Sequence, residues 1–273
     1  MPWEKSIWEI SLPVQAERGY LIIAVNNDTT DYIACAQRLN ASIKHWMPAA
    51  QTCLVTDIAA NLPEFDFVVP LPYGDQSTVS WKLDNDWQAF RASPFRQTIK
   101  LEADMLITSS VDHWWNMLQH KDVVVSTGAR DYYDRPAVSR HYRKIFDANN
   151  LPDVYNAITY WRLSKTAQEF WFWVQRIFKN WADFRTLLTY PDDDPTTDIV
   201  YAMAAQIMGP ETVTMPFATY PRIVHMKRHI IGTRTQDWTR ELTWEYNNGS
   251  LQINTVAQTG AVHYNIKDWN PNG

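Results

Sequence analysis

The sequence predicts an α/β fold, a mostly parallel sheet flanked by helices in one domain, and three observations lead there. Short apolar runs recur without alternation, as strands buried on both faces require. Amphipathic stripes of helical period lie between them. Polar and acidic residues gather where those runs end, the edge at which open α/β sheets hold ligands. The 273 residues, 45% hydrophobic and 20% charged, can bury about three quarters of their unfolded surface in one core. No internal repeat, linker or low-complexity tract divides them.

The first run, Gly19–Val25, is bounded by Asn26-Asn27-Asp28 and reads as a strand. Tyr32, Ala36, Leu39, Ile43 and Trp46 then mark one face of a helix, with Thr29 or Thr30 as its cap. Thr52–Thr56 and Phe67–Pro70 are the next strands, and Asp57 follows the former. Trp81–Phe90 reads as a surface helix. Thr98–Leu101 is a strand running into Glu102-Ala103-Asp104, and Ser109 or Ser110 opens a helix through Trp114 and Leu118. A strand at 122–126, a basic helix over 137–149 and a strand at 157–161 follow. Ser164 caps a long helix whose stripe extends to Trp181. Residues 190–195 form a loop, and a helix from Thr196 to Met208 stops at Gly209. Near the end, Asn247-Asn248-Gly249 suggests a hairpin between 242–246 and 251–255, while 237–246 reads equally as helix.

Composition limits the function. No basic segment followed by an apolar run opens the sequence, and no apolar stretch nears the roughly 18 residues of a membrane span. Only Cys35 and Cys53 occur, so neither a disulfide framework nor a cysteine-zinc site is indicated, and a reducing, cytoplasmic setting with no membrane partner is expected. A net charge of −5 argues against general coating of nucleic acid while leaving room for a local basic groove. Fourteen tryptophans favour core filling over stacking on sugars or bases. Eight glycines weaken any scheme built on a glycine-rich phosphate loop.

Three acidic pairs could bind a divalent cation: Asp84/Asp86, Glu102/Asp104 and Asp192–Asp194. The first lies in the surface-helix segment and the last in a proline-bounded loop, where solvation suffices as the reason for acidic residues. Glu102 and Asp104 alone follow directly from an apolar strand, so Mn2+ or Mg2+ is expected there. Asn26, Asn27 and Asp57 stand at strand ends where they could meet a nucleotide or simply cap turns. His225 could complete a metal shell, and Lys227, with Arg228 and His229 beside it, could neutralise a diphosphate.

Together, Trp81-Lys82, Lys100-Leu-Glu-Ala-Asp-Met105, Val154-Tyr-Asn-Ala157, Pro195-Thr-Thr-Asp198 and Val224-His-Met-Lys227 resemble motifs of GT-A (Rossmann-like) nucleotide-sugar glycosyltransferases. The similarity is to glycogenin-like retaining families and to tailed-phage glycosyltransferases, over a core of about 18–230 with 231–273 as an extension. The resemblance implies a metal site of Glu102, Asp104 and His225, with Glu102 standing where the family has aspartate and acting through water. It places Lys82 and Lys100 with Asn26, Asn27 and Asp57 on the donor, a UDP-sugar. Asn156 then lies near the sugar, with Ile158 in place of the family's glycine; Asp198 meets the sugar hydroxyls, and Lys227 assists departure of the diphosphate. It favours retention of anomeric configuration.

For the acceptor, Arg130, Arg135, Arg140, His141, Arg143 and Lys144 are interleaved with Tyr132, Tyr133 and Tyr142, a composition that can grip phosphates and stack a base. With the phage likeness, this points to hydroxymethylated pyrimidine in DNA, in host cytoplasm if phage-encoded. A solvated helix face, glycan or protein acceptors, a nucleotide-sugar-binding protein without turnover and a nucleotidyltransferase stay open.

Overall fold

The computed structural model describes residues 14–57, 61–71, 86–137, 143–215, 221–226, 230–235 and 237–271. The chain begins with β1 (Ala16–Ile23), α1 (Tyr32–Trp46), β2 (Thr52–Thr56) and β3 (Phe67–Pro70). It continues through α2 (Ala89–Ala92), β4 (Phe95–Glu102), β5 (Met105–Ile107), α3 (Trp114–Leu118), β6 (Val123–Thr127) and α4 (Arg143–Ala148). β7 (Val154–Arg162) leads to α5 (Lys165–Lys179), α6 (Trp181–Leu188), α7 (Thr197–Met208) and α8 (Pro210–Val213). The C-terminal part holds β8 (Ile223–His225), α9 (Trp238–Glu241), β9 (Trp244–Asn247), β10 (Ser250–Ile253), β11 (Val256–Ala257) and β12 (Ala261–His263).

The main sheet has the order β3-β2-β1-β4-β7-β6. β1 to β4 are mutually parallel, and β7 runs antiparallel to both β4 and β6. Every residue of β2 is buried, which is why Cys53, Leu54 and Val55 run on without polar alternation between two threonines. From β1 the chain winds outward to β3 and then returns to the other side of β1 as β4. That reversal opens a crevice at the carboxyl ends of β1 and β4, where Ile23 pairs with Glu102.

α5 and α7 cover one face, where Phe170, Trp171 and Tyr201 meet edge to face at 5.6–5.7 Å between ring centres. α1 and α3 cover the other. Trp114, Trp161, Trp171 and Trp238 are fully buried, so much of the tryptophan content fills core, as expected.

Several boundaries differ from the sequence expectation for identifiable reasons. The cap of α1 is Asp31, whose carboxylate accepts the Ala34 N–H at 3.0 Å. Thr29 is held instead in a turn on the Asn27 side chain. α3 starts only at Trp114, because the Ser109 hydroxyl accepts the distant Gly260 N–H at 2.9 Å. The basic helix does not begin at 137. Asp131 accepts the N–H groups of Tyr133 and Arg135 and closes a turn, and the helix is described from Arg143. Asn180 ends α5, so Trp181 opens a separate helix. Asp86 corrects the surface-helix expectation for 81–90: it is 4% exposed.

The hairpin β9–β10 forms as predicted, with Asn248 and Gly249 at φ 48° and 78° as its two-residue turn demands. Gly249 also touches α1: its carbonyl accepts from Trp46 Nε1, and a Cβ there would stand 2.4 Å from the His45 ring. Gly249→Ala is therefore expected to lower stability by about 1–3 kcal/mol, combining overpacking with a disfavoured φ. Urea unfolding monitored by tryptophan fluorescence measures it.

β12 does more than decorate the core. It pairs antiparallel with β5 and parallel with β8, inserting the C-terminal segment between them. The register sets Met105 opposite His263, and His263 beside His225.

Candidate active site

Glu102 ends β4, and a two-residue turn carries the chain through Asp104 into β5. Because Met105 pairs with His263, that turn lies directly against the β12 histidine. His263 Nε2 stands 2.8 Å from Asp104 Oδ2 and 3.3 Å from Glu102 Oε2. Asp104 and His263 are buried, whereas the Glu102 side chain is 27% exposed and faces the crevice. One ligand atom from each of these three residues lies within 4.8 Å of the others. Two carboxylates and an imidazole suit Mn2+ well, and the exposed side leaves coordination room for a substrate or water.

The third member of the group is thus His263, where the sequence pointed to His225. His225 is one strand over, buried, and its Nδ1 lies 2.8 Å from the Tyr155 hydroxyl. A usable signal existed. The sequence contains two short apolar runs ending in Val-His, Ile223-Val-His225 and Ala261-Val-His263, and the family resemblance points to the first. Lys267 was also missed. Its ammonium pairs with Asp104 Oδ2, and its carbonyl accepts from Arg38 of α1 at 2.7 Å.

Across from the acidic turn, β7 supplies Tyr155 and Asn156, just beyond the pairing of Ile158 with Leu101. The Asn156 backbone N–H donates to Asp198 Oδ1 at 2.6 Å, and its side-chain carbonyl accepts from Thr159. Asp198 is in the first turn of α7, buried, after the Thr196 cap. Sequence positions 156 and 198 therefore meet.

Lys100, two residues before Glu102, is buried and pairs with Asp86 at 2.7 Å. The Tyr201 hydroxyl donates to the same carboxylate. Burial and the Asp86 charge hold that phenol well above its ordinary pKa, so it remains a donor.

Asn26, Asn27 and Asp57 lie at the carboxyl ends of β1 and β2. Asn26 Oδ1 accepts the Ile33 N–H at 3.0 Å in the first turn of α1, and Asn27 Oδ1 holds Thr29. Asp57 is half-buried. In the basic stretch, Arg130 pairs with Asp134, Arg135 with Asp131, and Lys144 is exposed. Arg143 opens α4. Lys82, Asp84, Arg140, His141, Tyr142, Lys227, Arg228 and His229 lie outside the described residues. Asp192–Asp194 form an exposed loop, with Asp193 on Arg185. No helix among the described residues is long and apolar enough to cross a membrane.

No protein-family model matches the chain, and no curated protein matches it in sequence. Solved structures do match in shape. The galactosyltransferase LgtC, solved with donor and acceptor sugar analogs, is 14% identical, with 92% of this chain and 89% of that chain covered and a TM-score of 0.51. The apo form of mouse xyloside xylosyltransferase 1 is 10% identical, with 94% and 100% covered and a TM-score of 0.51. The chain has the GT-A fold, and at these identities the likeness carries the fold alone.

Proposed function

We propose that this protein is a divalent-cation-dependent glycosyltransferase that takes a sugar from a nucleotide-sugar, a UDP-sugar by the sequence resemblance. The observation that carries this reading is the Glu102–Asp104–His263 group at the switch point of a GT-A sheet. These three residues would hold Mn2+ or Mg2+, which when bound supplies positive charge to the leaving diphosphate.

The chain's own residues do the remainder. Lys267 brings an ammonium to the same place from the C-terminal segment and can offset negative charge on the leaving group. Lys227 is proposed for the same task from the sequence. Asp198, fixed by the Asn156 N–H, presents a carboxylate to the sugar, where it stabilises positive charge developing at the anomeric carbon. Retention follows the sequence resemblance. Asn26, Asn27 and Asp57 are proposed for the nucleotide because they border the crevice.

A donor panel tests this. With Mn2+ and water as acceptor, one nucleotide-sugar is expected to lose its sugar slowly, read as nucleoside diphosphate by mass spectrometry. Tight binding of a donor without hydrolysis or transfer would mark a binding protein. Release of pyrophosphate from a nucleoside triphosphate and a sugar phosphate would mark a nucleotidyltransferase.

For the acceptor we propose hydroxymethylated pyrimidine in DNA, resting on the basic stretch and the phage-type motifs. Arg130 and Arg135 are already paired, so phosphate binding is assigned to Arg140, Arg143 and Lys144. Replacing those three by alanine is expected to raise the KM for DNA. The salt slope of binding should flatten by about 0.9 for each phosphate that is no longer neutralised, while donor hydrolysis is unchanged. Normal modification of DNA by the triple variant would move the acceptor to a glycan or a protein.

A further inference from the structure

An open cavity of about 760 Å3 lies at the edge of the main sheet opposite the acidic turn. The start of β1, the end of α1, Gln51 ahead of β2 and the approach to α3 line it. The crevice is at the other end of β1, so roughly 20 Å of strand separates the two. The volume falls within the roughly 300–1,000 Å3 usual for small-molecule sites. No residue assigned above to the metal, the donor or the acceptor lines it.

Aromatic and polar groups converge there in fixed positions. The Trp46 indole is half-buried in the wall and held by its Nε1–H on the Gly249 carbonyl at 3.2 Å. Trp115 forms the floor, braced edge to face by Tyr20 at 5.3 Å between ring centres. The Arg18 guanidinium sits over the Trp115 ring, 5.5 Å from its centre, and pairs with Asp112 at 3.3 Å. An aromatic face and a carboxylate thus orient Arg18, while about half of its side chain stays open to solvent. Gln51 and Glu17 add an amide and a carboxylate at the rim.

That inventory selects a ligand class. The charged side chains are one arginine, already paired, and two acids, Glu17 and Asp112, which disfavours phosphates and other anions. A wholly apolar ligand would strip water from these groups without replacing its hydrogen bonds. A sugar meets both demands, because its hydroxyls donate and accept while the C–H faces of its ring pack on an indole. We infer that this cavity is a carbohydrate-binding site for a neutral oligosaccharide, stacked on Trp46 and hydrogen-bonded by Arg18, Asp112 and Gln51. It is separate from the proposed active site and does not rest on the transferase reading. A glycan held here leaves the crevice free for donor and acceptor.

The test titrates neutral hexasaccharides of glucose, mannose, galactose and N-acetylglucosamine into the full chain labelled on indole nitrogen. NMR follows the Trp46 Nε1–H resonance, assigned with Trp46→Phe. At least one hexasaccharide is expected to shift it, with a Kd below about 1 mM. Arg18→Ala and Gln51→Ala should each raise that Kd about tenfold. Both side chains are on the exposed rim, so the thermal melt should hardly move. Inorganic phosphate should leave the resonance in place. No response to any hexasaccharide would overturn the site; residues 1–13 stay in the tested chain, so a cavity that they fill registers as the same failure. A response to phosphate alone would overturn the ligand class. Sugar binding at wild-type affinity in both variants would overturn the assignment to this cavity. Absence of donor hydrolysis would count against the transferase reading and leave this site standing.

Discussion

Asp104→Asn is expected to abolish measurable Mn2+ binding and to cut donor turnover at least about 100-fold, close to 3 kcal/mol of transition-state stabilisation. The Asp104 carboxylate is buried, 2.8 Å from the His263 nitrogen and paired with Lys267, so it is the convergence point of the group. Asparagine keeps the shape and loses the charge, leaving Lys267 facing a neutral amide. Glu102→Gln should be milder, because that side chain is partly exposed and lies farther from His263 at 3.3 Å. Calorimetry with Mn2+ and a diphosphate-release assay measure both, with a thermal melt to show that the fold persists. Normal Mn2+ affinity in Asp104→Asn would eliminate this site and with it the proposed reading of the function.

The acidic half of that site was legible in the sequence and the basic half was not. Glu102 and Asp104 follow an apolar strand without a break, so their place at a sheet edge could be read locally. His263 reaches them through a pairing between three-residue strands more than 150 positions apart, so the Val-His ending of its run marks it only as one of two candidates and the long-range pairing decides between them. The same contrast runs through the fold. α1, β2, β3, α5 and α7 carry long stripes or continuous apolar runs, and they appear close to where the pattern puts them. Caps were harder: Ser109 bonds to the distant Gly260, which only the folded chain brings near, and Thr29 is taken up by a local turn on Asn27 that competes with capping. Asp86 was hardest of all. Its segment looks solvated in sequence, yet the carboxylate is buried against a lysine and a tyrosine from other elements.

Lys100→Met is expected to destabilise the protein by about 3–5 kcal/mol, since it strands the Asp86 carboxylate in the core without its cation. The side chains of Lys100 and Asp86 are 5% and 4% exposed, so water cannot take the place of the missing ammonium. Tyr201 adds a hydrogen bond to the same carboxylate and extends the ammonium's cover, its ring centre lying 5.2 Å from Nζ. Lys100 comes from β4, Tyr201 from α7, and Asp86 from the segment before α2, so the cluster ties three elements together beneath the crevice. α7 also carries Asp198, so loosening this cluster reaches the residue proposed to face the sugar. Adding Asp86→Asn to Lys100→Met removes the stranded charge and should recover more than half of the stability, a coupling that a double-mutant cycle in urea resolves. The same variants decide what Lys100 does. A lysine reserved for the donor diphosphate would give Lys100→Met near-normal stability and a large drop in donor affinity. A lysine whose charge serves Asp86 gives the large drop in stability, and the double variant then binds nucleoside diphosphate almost as the wild type does. The buried geometry favours the second outcome, and a melt that Lys100→Met leaves unmoved would overturn it.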